Sequence, residues 1–213
     1  IFKSAKNPGQ NIHFGVREHA MGGIANGMAL HGGIIPYVAT FLIFSDYMKA
    51  SIRLAALMQA HVIYVFTHDS LGVGEDGPTH QPIEQLMSLR LIPGLTVIRP
   101  ADANETSEAW RIALSADGPV AIILTRQNLP IMENQKQISQ GVSQGAYIVS
   151  EEENPQVILL ATGSEVSLAI NVQAALLDEK ISSRVVSIPS REIFSKQSKE
   201  YKDEVLIPGI PIV

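Results

Sequence analysis

The sequence predicts an α/β fold, a parallel sheet with helices on both faces, followed by a second, truncated α/β domain. Three observations predict it. Short apolar runs rich in β-branched residues, HVIYVF (61–66), LTVIRP (95–100) and VAIILTR (120–126), read as buried strands. Segments of helical character, 45–59, 82–90 and 102–115, alternate with them, the order that builds a parallel sheet covered on both sides. Beyond the first of these strands lies THDSLGVGEDGPTHQP (67–82), a loop too polar and glycine-rich for a core, placed where open α/β sheets put their ligands.

In chain order, the opening IFKSAKNPGQ has no apolar core of a signal peptide. A helix is expected from about Arg17 to Leu30, packed closely through Gly22, Gly23, Ala25 and Gly27 and stopped by Gly32-Gly33. IIPYVATF (34–41) follows as a strand, and Ser45 or Asp46 is the expected N-cap of the helix 45–59. After the central strand and loop come the short helix 82–90, a strand ended by Pro100, a helix capped by Asp102, and the strand 120–126. Residues 131–155, rich in Gln and Ser, read as a linker between a first domain, 1–130, and the beginning of a second, 156–213. That second part shows one strand-helix-strand unit, too little to bury a core alone, so the chain is expected to be a fragment.

The 213 residues are 46% hydrophobic and 17% charged with a net charge of −5, an ordinary globular balance. With no basic tract there is no case for nucleic acid or a membrane surface, and no apolar run approaches the roughly 18 residues of a membrane-spanning helix. The absence of cysteine excludes disulfides and thiolate metal sites and fits the cytoplasm.

The loop contains Gly72-Val73-Gly74-Glu75-Asp76-Gly77, the spacing of a dinucleotide fingerprint. Its context contradicts that function. Pro78 and Pro82 delay any helix, and Glu75 and Asp76 would face the phosphates, so the glycines serve loop geometry instead.

The motifs GVREHAMGGIANGMALHGG (15–33), PYVATFLIFSDY (36–47), THDSLGVGEDGPTHQPIEQ (67–85), RPADANE (99–105), ILTRQNLP (123–130) and ATGSEV (161–166) occur in fixed order. On them the chain resembles transketolases, thiamine diphosphate enzymes, over their pyrimidine-binding domain and the beginning of their C-terminal domain. The resemblance runs from about 11 to 130 and again from 141 to 206. It implies transfer of a two-carbon ketol unit between sugar phosphates by a homodimer whose active sites lie between subunits. The family's diphosphate and metal signature, GDG followed by asparagine, is absent, so the resemblance implies that Mg2+ (or Ca2+) is held by an N-terminal domain outside this chain. Dihydroxyacetone synthase and deoxyxylulose-phosphate synthase are the competing enzyme readings, and a split, non-autonomous C-terminal subunit is the alternative of another kind.

Carried over residue by residue, the resemblance makes Glu18 the glutamate that hydrogen-bonds N1′ of the aminopyrimidine, so that the 4′-imino group can take the C2 proton. Read alone, Glu18 is a first-turn glutamate favoured by the helix dipole. Phe41, Phe44 and Tyr47, otherwise the apolar side of a helix start, wall the pyrimidine ring. His80 contacts the reacting oxygens, a task suited to a group titrating near neutral pH, and Asp76 contacts a substrate hydroxyl. His68 and Arg126 hold the sugar phosphate, the guanidinium through its planar fork. No metal-ligating residue is expected, since His68 and His80 lack a third ligand at metal spacing. His13, His19 and His61 read as structural, and His31 as a helix C-terminal residue.

Overall fold

The computed structural model describes Gly9, residues 11–133 and residues 135–213. The chain start read above for a signal peptide therefore lies, but for Gly9, outside the described residues. The first layer is built from α1 (Glu18–His31), β1 (Tyr37–Phe41), α2 (Ser45–Met58), β2 (Ile63–Thr67), α3 (Gln85–Arg90), β3 (Thr96–Ile98), α4 (Ala103–Leu114) and β4 (Val120–Ile123). The four strands pair in parallel in the order β1-β2-β4-β3. All are a little shorter than their apolar runs, because the ladder stops where the backbone turns into a loop.

The side-chain period of two explains why β2 is apolar throughout. Val62, Tyr64 and Phe66 point to one face, into a cluster with Leu42, Met48, Ile52 and Ala55, and Ile63 and Val65 point to the other, against Ala109 and Ala113 of α4. Each buried Val, Leu, Ile, Met or Phe side chain among them contributes roughly 1.5–3 kcal/mol. On the first face α1 and α2 touch so closely that a Cβ on Gly22 would lie 2.8 Å from Ser51 Cβ. Asn26 fastens the same contact, donating to Ser51 O at 2.8 Å and accepting from the Tyr64 hydroxyl at 3.1 Å, both buried. His19 Nδ1 lies 3.1 Å from Ser51 Oγ, and His61 Nε2 2.7 Å from Ala113 O.

Two local expectations differ from what forms. Asp102 does cap α4, accepting from Glu105 N at 2.8 Å, but neither Ser45 nor Asp46 caps α2. A 3-10 turn, Leu42–Phe44, runs straight into α2, and Asp46 instead accepts from Gln85 Nε2 at 2.8 Å, tying α2 to α3.

The larger correction concerns residues 131–155, read as linker. Within them stand α5 (Gln135–Gln144) and β5 (Tyr147–Glu151), which precede β6 (Val157–Ala161), α6 (Glu165–Asp178), β7 (Ser183–Ser187), α7 (Arg191–Ser195) and α8 (Lys199–Val205). Polar composition hid a helical pair, Ile138 and Val142, that packs with Tyr147. Gly145 follows α5 at φ +87°, in a space where a Cβ would lie 2.3 Å from Phe194 N. β5 then pairs antiparallel with β7, and β6 pairs parallel with it, so the unit is a three-stranded sheet in the order β5-β7-β6 rather than a lone strand-helix-strand unit.

The two sheets share a buried polar contact. Glu105 is fully buried, and its carboxylate accepts from Tyr147 OH at 2.8 Å, Ser187 Oγ at 2.6 Å and Ala101 N at 2.7 Å. Desolvation pushes the carboxyl above the ordinary range, and those three hydrogen bonds only partly offset it. Glu105 thus binds its proton more tightly folded than unfolded. Stability is greatest below the ordinary carboxylate pKa and is lost as pH rises through the interval up to the raised folded value. Glu105→Gln keeps an oxygen for the Ala101 N–H while both hydroxyls can rotate to accept from the amide. The variant is expected to show a flatter melting temperature against pH above the ordinary carboxylate pKa, and no loss of stability at neutral pH. Melts with the parental slope would contradict the burial argument.

Candidate functional site

β1 and β2 end at the same level, Phe41 opposite Thr67, so Phe41 and His68 emerge side by side at the C-terminal edge of the sheet. Their rings stack with centroids 3.6 Å apart and planes 20° apart. The 3-10 turn after β1 folds Phe44 back to 6.1 Å from Phe41, and Tyr47, two-thirds exposed on the first turn of α2, follows at 6.2 Å from Phe44. His80 arrives from the far end of the loop on a second 3-10 turn, Pro78–His80, edge-on to Phe44 at 5.4 Å and to Phe41 at 6.3 Å. Five residues singled out in the sequence thus form one aromatic and histidine cluster. In both histidines Nδ1 pairs with a neighbouring threonine hydroxyl at 2.9 Å, Thr67 for His68 and Thr79 for His80, and among the described residues Nε2 has no partner.

Glu18 opens α1 and is half-buried. It lines a cavity of about 230 Å³ with His13, Phe14, Gly15, Ala39 and Thr40. Ala39 and Thr40 immediately precede Phe41, so the carboxylate and the ring cluster flank the end of one strand. No ring contact joins them. His13, set aside as structural, shares this cavity; its position just before the helix carries no pattern that a sequence reader could use.

Arg126 lies three residues past β4, exposed, its guanidinium against the glycine loop, where a Cβ on Gly74 would lie 3.5 Å from Cζ. It has no carboxylate partner among the described residues, unlike a residue that merely caps a sheet edge. Asp76 is exposed on the same loop, four residues before His80, and enters none of the ring contacts. Gly74 and Gly77 adopt φ of +89° and +77°, and the next α-helix waits until Gln85, in keeping with a convoluted loop rather than a dinucleotide turn. Among the described residues no group of three or more His, Asp or Glu is placed to hold a metal ion.

The sequence reading missed Asp69 and Arg99. Asp69 is buried directly behind His68, and Arg99 Nε donates to its Oδ2 at 2.7 Å. Burial disfavours the charged guanidinium, but bonds to Glu165 and Asp69 outweigh it and hold its pKa above the ordinary value. THD and RPAD were each legible as motifs, but nothing in their separation announces the contact.

Comparison with known proteins covers both parts of the chain. The family described as transketolase, pyrimidine binding domain, matches residues 2–132, and the transketolase-like C-terminal domain matches residues 145–213. The transketolase of Aquifex aeolicus is 54% identical over 212 residues, 98% of this chain and 31% of that protein. A Pichia stipitis transketolase variant solved with fructose 6-phosphate superposes with a TM-score of 0.89 at 48% identity, covering 93% of this chain and 29% of the other. A split-gene transketolase solved as an inactive β4 tetramer superposes with a TM-score of 0.73 at 25% identity, covering 93% of this chain and 71% of its own.

Proposed function

This chain belongs to the transketolase family, and from that premise we propose that it is the pyrimidine-binding and early C-terminal segment of an enzyme transferring a two-carbon ketol unit from a ketose phosphate to an aldose phosphate. It spans about 31% of the curated relative's length. The observation that carries the reading is the convergence of Phe41, Phe44, His68 and His80 at one sheet edge, beside the cavity of Glu18.

Those residues fit the aminopyrimidine half of thiamine diphosphate: a half-buried carboxylate to meet a ring nitrogen and aromatic rings to wall the heterocycle. They do not fit its diphosphate, which needs cations or a metal, and the proposal assigns that half and Mg2+ or Ca2+ to an N-terminal domain. When bound, the cofactor supplies the carbon nucleophile for ketol transfer. Glu18 holds a proton at the pyrimidine nitrogen. Phe41 and Phe44 fix the tilt of the ring, with Tyr47 at its rim. His80, through Nε2, moves protons at the reacting oxygens, and Asp76 bonds a substrate hydroxyl. His68 and Arg126 bind the terminal phosphate.

We assign the partner to a second copy of the enzyme. The outer faces of α1 and α2 expose Ile24, Leu30, Leu54, Leu57 and Met58 around small residues, a surface suited to close helix packing. The solved β4 tetramer is described as inactive, and the same is proposed of this segment by itself. Among the described residues no helix is long and apolar enough to cross a membrane, and a cysteine-free chain fits the cytoplasm.

The test is product analysis of the full-length protein with ketose and aldose phosphates, repeated with Arg126→Ala. Losing a charged donor to phosphate costs roughly 1.5–3 kcal/mol, so kcat/KM for phosphorylated sugars should fall about 10- to 150-fold, and that for free sugars little. Equal falls for both would make Arg126 structural. Absence of ketol transfer would refute the function.

A further inference from the structure

Resting on the reading of His68 as a phosphate contact, we infer that Arg99 is a positioning residue for His68, through which the loop after β6 governs the substrate pocket. His68 adopts φ +60°, a left-handed conformation that a histidine keeps only where its surroundings enforce it. On one side the ring is held by Phe41 and Thr67. On the other, the chain is pinned by the next residue, Asp69, whose side chain is 1% exposed. Asp69 Oδ2 accepts from Arg99 Nε, while among the described residues Oδ1 is buried with no partner and Arg99 is the cation paired with the carboxylate.

Arg99 is itself clamped by the second sheet. Its Nη1 donates to Thr162 O at 2.8 Å and to the Glu165 carboxylate, Arg99 N donates to Pro189 O at 2.8 Å, and Thr162 Oγ1 donates to Arg99 O at 3.3 Å. Gly163, at φ +60°, lies so close that a Cβ there would be 2.7 Å from Nε. One planar fork therefore reaches Asp69 with one nitrogen and the loop 162–165 with another. A lysine has three donors but a single nitrogen, so it cannot occupy both the Nε and the Nη1 positions from which these bonds are made. Without the bond to Asp69 the left-handed turn loses its anchor, and the imidazole leaves the face of Phe41. Arg99 acts through Asp69, so its signature is on substrate affinity rather than on the chemical step.

The experiment compares Arg99→Lys, His68→Ala and the double variant in the full-length protein, measuring KM and kcat with phosphorylated and free sugars, together with a crystal structure of Arg99→Lys. Arg99→Lys is expected to raise KM for phosphorylated sugars about tenfold with kcat changed less than about threefold, and to add nothing in the His68→Ala background. Effects that multiply in the double variant, or a structure in which His68 keeps its positive φ and its stack, overturn the positioning. If Arg99→Lys does not fold, Glu165→Leu removes the carboxylate from the second-sheet end of the clamp while the bond to Thr162 O stays; a smaller KM rise with the same selectivity supports the link, and an unchanged KM overturns it. A His68→Ala enzyme with unchanged KM refutes the phosphate reading of His68 instead, and the positioning is then decided by the crystal structure alone.

Discussion

Glu18→Gln in the full-length enzyme is expected to lower turnover by about 10²–10⁴-fold while leaving the fold intact. The fold should survive because Glu18 makes no side-chain hydrogen bond among the described residues and sits at the first position of α1, where one charge contributes only tenths of a kcal/mol to about 1 kcal/mol through the helix dipole. Turnover should not, because an amide at the pyrimidine nitrogen cannot hold and return a proton as a carboxyl does. The decisive measurement is exchange of the C2 proton of the bound cofactor, followed beside the melting temperature. Near-normal exchange in a well-folded variant would remove Glu18 from the mechanism. A uniform loss of cofactor affinity with unchanged exchange would make it a binding residue only.

The second large effect concerns the chain alone. The 213 residues are expected to be catalytically silent and to hold thiamine diphosphate poorly, although they contain most of the residues assigned above. What they offer the cofactor is an aromatic wall, contributing roughly 0.5–1.5 kcal/mol beyond area burial, and one charge-assisted hydrogen bond of roughly 1.5–3 kcal/mol. Association consumes about 4 kcal/mol or more in rigid-body freedom, so little affinity is left without the diphosphate and metal contacts. Isothermal titration of the chain with thiamine diphosphate and magnesium, then a ketol-transfer assay, tests this. Micromolar binding with turnover would show that no further domain is needed.

Where local chemistry and tertiary packing agree, the sequence is readable. β2 announces itself because both of its faces are buried, and Asp102 because its cap bond is local. Gly32 was legible as a stop, and it follows the last residue of α1. α5 was not legible, since its only apolar anchors, Ile138 and Val142, gain meaning from Tyr147 and Ile112, one of them distant in sequence. The start of α2 at Ser45 was legible but its cap was not, because a 3-10 turn supplies the continuity that a cap normally provides. Within the candidate site, the rings that the structure brings together lie in contiguous motifs: Phe41 and Phe44 three apart, His68 and His80 at the two ends of one loop. The Asp69–Arg99 pair escaped because its partners are 30 residues apart and their meeting depends on where β3 lies in the sheet.

That strand order also bears on synthesis. β4 is the last strand of the first sheet to be translated, yet it lies between β2 and β3, and its pairing joins Ile63 to Val120. Until residue 123 has left the ribosome, β2 keeps the edge that pairs with β4 open, a state prone to pair with other chains. The same order completes the sheet that carries Phe41 and His68 only after the glycine loop between β2 and β4 has emerged.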